Sequence, residues 1–406
     1  MTKTIALLGA LDTKGEEYAF TRQCIEARGH RVLLIDVGVL AAPAVAADVS
    51  SEEVARAGGA DLEAFRARRD RGEAVAAMSR GAAALVPTLF DQGRFDAILA
   101  LGGGGGTSVA CAAMRALPVG VPKVMVSTVA GSDTSGYVGV ADIVMVPSIV
   151  DVAGVNRISR EVFARAAGAV CGMVETEVPA GDDKPLLAAS MFGNTTDCVE
   201  AARRVLEAAG FEVLVFHATG TGGRTMEKLI EAGRIAGVLD VTTTEWADEL
   251  VGGVFAAGPD RLRAAARSGV PAVVAPGCLD MVNFWAPETV PSRFQGRTFY
   301  QHNPNITLMR TTPEECTALG RAIAERLNES AGPVTVLLPL KGLSMIDAPG
   351  GPFWSPEADG ALFAALRQNL RGDIPVEELD CNINDEAFAH RATECLLERV
   401  RAAGGA

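Results

Sequence analysis

Directly behind the apolar run Ala97-Ile-Leu-Ala-Leu101 stand five consecutive glycines, 102–106, followed by Thr107 and Ser108. Five glycines cost roughly 0.5–1 kcal/mol each relative to alanine, more than a reversing turn requires. A backbone that must lie against an anion at a helix N-terminus does gain from having no Cβ. The pattern therefore predicts a phosphate or carboxylate cradle on Gly103, Gly104, Gly105, Gly106, Thr107 and Ser108. A second loop, Gly220-Thr221-Gly222-Gly223-Arg224, adds hydroxyls and a guanidinium able to grip an anion bidentately, ahead of a helix expected from about Thr225. Neither loop fits the GxxxxGK[ST] P-loop, and the first lacks an acid about 20 residues on, as a dinucleotide fingerprint wants.

Other strand ends supply the remaining candidates. Asp12, Lys14, Thr128, Ser132, Asp133, Thr243 and Arg310 are expected near the ligand, with Lys14 and Arg310 neutralising its charge. Asp240 and Glu245 flank three threonines, as Mg²⁺ ligands sharing the ion with phosphates would. Bland roles compete: Asp12 as an N-cap for a helix starting near Lys14, Glu245 as a partner of a helix dipole. Among four histidines, His217, expected to end a buried strand directly before the Gly220–Arg224 loop, and His302, opening a polar turn, are candidate general bases or phosphate donors or else hydrogen-bonded structural residues, whereas His30 and His390 read as structural or surface residues. Cys278 is a nucleophile if it sits at a helix N-terminus near His302, and otherwise a small buried hydrophobe. The eight cysteines contain no CxxC pair, so neither a zinc site nor a disulfide framework is indicated.

The elements that must carry these loops alternate strand and helix along 406 residues. Non-alternating apolar strands such as 97–101 belong to parallel sheets covered on both faces. The polar, proline-containing stretch 177–185 divides the chain, giving two doubly wound domains, 1–180 and 186–406, with a ligand cleft between them. Helices are expected near 15–28, 60–78 and 385–401, and residues 306–309 as a further strand of the second sheet. A net charge of −13 argues against a nucleic-acid surface. No apolar stretch reaches the ~18 residues of a membrane span, and the N-terminus enters a strand with no signal-peptide pattern, so a cytoplasmic location is expected.

Taken in order, Leu11-Asp-Thr-Lys-Gly-Glu-Glu17, Leu101-Gly-Gly-Gly-Gly-Gly-Thr107, Val126-Ser-Thr-Val129, Val150-Asp-Val-Ala-Gly154, Phe216-His-Ala-Thr-Gly-Thr-Gly-Gly223, Asp240-Val-Thr-Thr-Thr-Glu245 and His302-Asn-Pro304 resemble the Tm-1-like ATP-binding family over nearly the whole chain. That resemblance implies two Rossmann-like subdomains, ATP with Mg²⁺ on the glycine-rich loops, and a homodimer. The chain departs from the family pattern at Gly193-Asn-Thr-Thr-Asp-Cys198, where Gly-Val-Thr-Thr-Pro-Cys is expected, and at Ala130-Gly-Ser-Asp133.

The leading expectation is thus a nucleotide-binding protein, with ATP-dependent chemistry on a small acid as its extension. Two rivals differ in class: a nucleotide-independent hydrolase or C–C bond-cleaving enzyme with His217 or His302 as base and a glycine loop as oxyanion site, and a non-catalytic, ligand-regulated interaction protein.

Overall fold

A computed structural model describes residues 2–68, 71–181 and 183–404. The chain forms two compact units, Met1–Ala180 and Gly181–Ala406. Each is a doubly wound parallel sheet, as the apolar strands require.

In the first unit, strands β1 (Thr4–Gly9), β2 (Arg31–Asp36), β3 (Ala97–Gly102), β4 (Lys123–Ser127) and β5 (Val144–Pro147) lie in the order β2-β1-β3-β4-β5, every pair parallel. Alternate residues of one strand face opposite helical layers. Ile98 and Ala100 join the layer containing Val54, Met78 and Val109, while Leu99 and Leu101 join Tyr18, Phe163 and Val170. That two-sided burial is why these strands show no polar alternation.

The second unit repeats the plan. Strands β6 (Leu186–Met191), β7 (Glu212–His217), β8 (Gly237–Thr242) and β9 (Ala272–Gly277) precede a small antiparallel sheet of β10 (Met281–Phe284), β11 (Phe299–Asn303) and β12 (Ile306–Arg310). Strands β13 (Val334–Pro339) and β14 (Val376–Leu379) then complete the unit. The parallel sheet runs β14-β13-β9-β8-β6-β7 and the antiparallel one β10-β12-β11. Read from the first strand of each unit, both sheets have the order 2-1-3-4-5, the second with one strand added. In each the winding direction reverses between the first and third strands, the point outside whose carboxyl ends such folds bind ligands.

Several local expectations need correction. Residues 306–309 do not extend the parallel sheet; they form β12, hydrogen-bonded antiparallel between β10 and β11. The helix expected at 60–78 is described as Leu62–Arg68 and, from Arg71, as part of a longer helix Arg71–Asp91, and a further helix, Ser51–Ala57, precedes it. The capping box of Ser50 with Glu53 starts that preceding helix, which the apolar pattern did not suggest, and a Cβ at Gly58 would stand 2.6 Å from the Ala77 carbonyl oxygen, so only a glycine lets the chain pass so close to the longer helix. The helix expected from residue 15 begins at Leu11, with Lys14 non-helical at φ −132°, ψ 25°. The helix expected from Thr225 begins at Thr221. Residues 69 and 70 of the expected helix, and Asp182 of the expected linker, lie outside the described residues. Among the described residues no helix is long and apolar enough to cross a membrane.

Candidate functional site

The first unit's reversal point lies between β1 and β3. Their ladder stops at Leu8↔Ala100, and beyond it the Tyr18 hydroxyl stands between the strands, 2.6 Å from the Leu8 carbonyl and 2.8 Å from that of Leu101, while accepting from the Leu101 N–H at 2.8 Å. A Cβ at Gly9 would sit 1.9 Å from the Tyr18 ring, so Gly9 is required by Tyr18. Burial and the nearby Glu17 and Asp36 carboxylates push the phenol up, keeping it neutral.

Where β3 ends, Gly103 caps the helix Gly104–Ala116 with extended backbone and no side-chain cap. Elsewhere in this chain Ser50, Asn156, Thr312 and Ser355 accept the first N–H groups of their helices. The leading N–H groups of Gly104–Ala116 have no such acceptor. Nor does the fold require these glycines. Their φ values are not positive, and a Cβ on residue 103, 104, 105 or 106 would meet nothing closer than 3.7 Å. Gly102 is tighter, its Cβ falling 3.1 Å from Gly106 Cα.

Around this helix end lie the exposed Thr128 and the loop of Asp12. The Asp12 carboxylate accepts from Leu40 N at 2.8 Å and Ala41 N at 3.3 Å, so it anchors the loop after β2 and is not an N-cap. Other candidates turn inward. Thr107 is fully buried and bonds Gly103 O and Ser127 Oγ, so it cannot touch a ligand. Ser108 donates to Gly104 O. Lys14 Nζ donates to the Val152 carbonyl. Ser132 and Asp133 are exposed farther along, closing local turns to Val129 O and Ser135 N.

The second unit's glycine loop has the opposite character. A Cβ would fall 2.7 Å from Ala256 O at Gly220, 1.9 Å from His217 O at Gly222 and 2.1 Å from Glu245 Oε2 at Gly223. These glycines are demanded by packing. The anion in the cradle is the protein's own Glu245, whose Oε1 accepts from Gly220 N at 2.7 Å and Gly223 N at 3.0 Å. Its Oε2 accepts from Arg261 Nε at 2.7 Å. The same guanidinium, buried to 2% exposure, holds Asp240 bidentately at 2.5 and 2.6 Å and reaches Glu227 at 3.0 Å. The neighbouring carboxylates raise Arg261 further above its already high value, against the desolvation that opposes them.

This corrects the expectation of a phosphate cradle on Gly220, Thr221, Gly222 and Gly223, since an internal carboxylate fills it. Asp240 and Glu245 do not fit Mg²⁺ either, because Arg261 occupies the oxygens a cation would need. Among the described residues no group of three or more acidic, histidine or cysteine side chains is arranged to hold a metal. Arg224 is exposed beside the filled loop.

Arg310 is likewise committed internally. It donates to Asp359 at 2.5 Å, Phe353 O at 2.7 Å and Thr311 Oγ1 at 2.8 Å. Thr243 is buried on Ala275 O. Cys278 follows β9 in a turn, not a helix N-terminus, at φ 58°; burial and the adjacent Asp280 push its thiol up, the reverse of what a nucleophile needs. His217 ends the edge strand β7, its ring 5.4 Å from that of Phe192, with desolvation lowering its basicity. His302 lies on exposed β11, part of a different sheet, so the two candidate bases serve no common cluster.

Sequence reasoning missed Arg261, Glu227, Tyr18 and Asp36. Arg261 stands in Asp260-Arg-Leu-Arg263, which reads as a solvated charge run. Only the run of three inward acids on separate elements could have signalled a buried cation. Asp36, at the end of β2, accepts from Leu11 N at 3.0 Å and Gly38 N at 2.8 Å, tying down the loop after β1.

Sequence comparison agrees with this two-unit plan. The N-terminal domain profile of the uncharacterised protein family UPF0261 matches residues 3–179 and its C-terminal domain profile residues 184–400. The chain belongs to the UPF0261 family. A UPF0261 protein of Clostridium tetani is 50% identical over 98% of this chain and 100% of its own length, and one of Rhizobium meliloti 49% over 96% and 97%. The tomato ToMV resistance protein Tm-1(GCR237) is 42% identical over 81% of this chain and 45% of its own length, which bears out the family resemblance seen in the loops. Among solved structures, a putative UDP-N-acetylglucosamine 2-epimerase from Listeria monocytogenes is similar over 68% of this chain and 79% of its own, at 11% identity and a TM-score of 0.25.

Proposed function

We propose that this UPF0261 protein binds a nucleotide, ATP in the first instance, with its phosphates on the N-terminus of the helix Gly104–Ala116. One observation carries the reading. Four successive glycines lead into and open that helix, although neither backbone conformation nor neighbouring atoms require a glycine at any of them. Glycine opening a helix costs stability, roughly 0.5–1 kcal/mol per residue relative to alanine. A bare helix N-terminus with unaccepted N–H groups is suited to a phosphate. Thr128, exposed at the adjacent strand end, supplies a hydroxyl to the same anion.

The second unit has no part in holding the phosphates through Gly220 to Gly223, and Mg²⁺ is not assigned to Asp240 or Glu245. Divalent ion entering with the nucleotide would be held mainly by phosphate oxygens.

Calorimetric and thermal-shift titration of the full chain with ATP tests the reading. Ligand at 100 times its dissociation constant stabilises the folded state by about 2.7 kcal/mol, a readily seen rise in Tm. Absence of heat and of any Tm shift with every nucleoside triphosphate at millimolar concentration, on protein freed of co-purified ligand, rejects it.

A further inference from the structure

Beside the first turn of Gly104–Ala116 lies a cavity of about 100 Å³, walled by apolar side chains including Val37, Met78 and Val109, by the backbone of Gly105 and Gly106, and by Asp12. By that measure a water takes about 10–15 Å³. The space therefore suits a single ring, well short of the ~300–1,000 Å³ that engulfs a whole drug-sized ligand.

Among the described residues Asp12 is the one charged side chain of this lining. Its Oδ2 is used by Leu40 and Ala41, whereas Oδ1 is buried without a hydrogen-bond partner. A buried acceptor in this state calls for a donor. The same carboxylate repels phosphate, so the group that enters here is not anionic and carries an N–H or O–H, as an uncharged hydroxyl does. Gly105 and Gly106 border both the cavity and the helix N-terminus, which places that group directly next to the phosphate. In a nucleotide the sugar occupies that position. Asp36, the acid at the end of β2 where dinucleotide folds read a ribose, is already committed to Leu11 and Gly38.

Building on the nucleotide reading above, we infer that Asp12 is a specificity residue that accepts a hydrogen bond from a ribose hydroxyl of the bound nucleotide, with the sugar's apolar face against Val37, Met78 and Val109. The base then lies outside the cavity and is read weakly.

The test is calorimetric titration of the intact chain with ATP, 2′-deoxy-ATP, 3′-deoxy-ATP, GTP and inorganic triphosphate, repeated on Asp12→Ala. At least one deoxynucleotide is expected to bind about tenfold more weakly than ATP, GTP within a few-fold of ATP, and the hydroxyl dependence to vanish in Asp12→Ala. Equal affinity for ATP and both deoxynucleotides overturns the assignment while leaving nucleotide binding intact, as does triphosphate binding as tightly as ATP or a hydroxyl dependence that survives in Asp12→Ala. If neither nucleotide nor triphosphate binds, the nucleotide reading itself falls and this one with it. Should Asp12→Ala fail to fold, the ligand series on the unaltered protein decides alone.

Discussion

The two units present the same strand order and each has a glycine-rich loop that leaves the carboxyl end of a strand and opens a helix, after the third strand in the first unit and the second strand in the second, yet the loops solve opposite problems. In the second unit the glycines make room for Glu245, and a carboxylate from the chain takes the place an external anion would take. Around it Thr195, Thr242, Thr243, Thr244, Cys278 and Asn283 are all buried, and the edge is closed by its own side chains. In the first unit Gly103 to Gly106 make room for nothing the chain supplies. Glycine content alone therefore does not mark a ligand site. What marks it is glycine that no internal atom needs.

The harshest way to break this contrast is to empty the filled cradle. Glu245→Ala leaves Gly220 N, Gly223 N and the Arg261 Nε without an acceptor in a fully buried setting. Removing one partner of a buried ion pair typically costs 3–5 kcal/mol. Urea unfolding of the variant is expected to show a loss of that order; a loss under about 1 kcal/mol would show that Glu245 is not the structural anion. Because the cradle then resembles the open one, added formate is expected to recover part of the lost stability.

A methyl group is the next probe. Gly223→Ala places a Cβ 2.1 Å from Glu245 Oε2, so either the loop or the carboxylate must move, and overpacking of this kind costs about 1–3 kcal/mol. A thermal melt should drop by several degrees. An unchanged Tm would mean the second loop is as accommodating as the first.

The closed edge also carries a pH signature. Burial pushes Asp359 up to about 7, with Asp347 reinforcing it and Arg310 opposing. Burial likewise pushes Asp248 up to about 7. For a carboxyl raised in the folded state, the native protein holds more protons than the unfolded one between the ordinary value near 4 and 7. The contribution is therefore complete below pH 4 and is lost as pH rises through 7. Asp359→Asn, neutral at every pH, is expected to gain on the unaltered protein across that window by about 1–2 kcal/mol. Urea midpoints at pH 4.5 and 7.5 measure it, and parallel pH profiles for the two proteins would refute the buried-acid account.

Much of the frame was legible because it depends on periodicity. Apolar strands without alternation announced parallel sheets covered on both faces, and Ala97 to Leu101 followed by glycine located the open edge. The antiparallel sheet was not legible, since β12 alone has the length and apolarity of any parallel strand and its partners β10 and β11 are short or exposed. Nor could sequence distinguish the two glycine loops. That distinction lies in which atom approaches each missing Cβ, and Glu245, 22 residues beyond Gly223, gives no local sign that it will fold back into the loop. The buried role of Arg261 was hidden for the same reason: three acids from separate elements converge on it only in the fold.

The smallest expected effect sharpens the comparison most. Gly105→Ala adds a Cβ in ordinary contact with Val75 Cγ2 at 3.7 Å, at a position in the first helical turn with no positive φ. Such a change should stabilise the folded protein by about 0.5–1 kcal/mol, mostly by narrowing the unfolded ensemble and improving helix propensity. The same methyl narrows the space beside the helix N-terminus that the bound nucleotide must enter, so nucleotide affinity should fall about tenfold, equivalent to about 1.4 kcal/mol. Stability and affinity thus move in opposite directions, which a merely structural glycine cannot produce: there stability would fall and the affinity of the folded protein stay unchanged, as expected at Gly223. Melts without ligand, paired with calorimetric titration of ATP, separate the cases. A variant that is more stable and binds ATP unchanged would leave these glycines unexplained and move the anion away from the helix Gly104–Ala116.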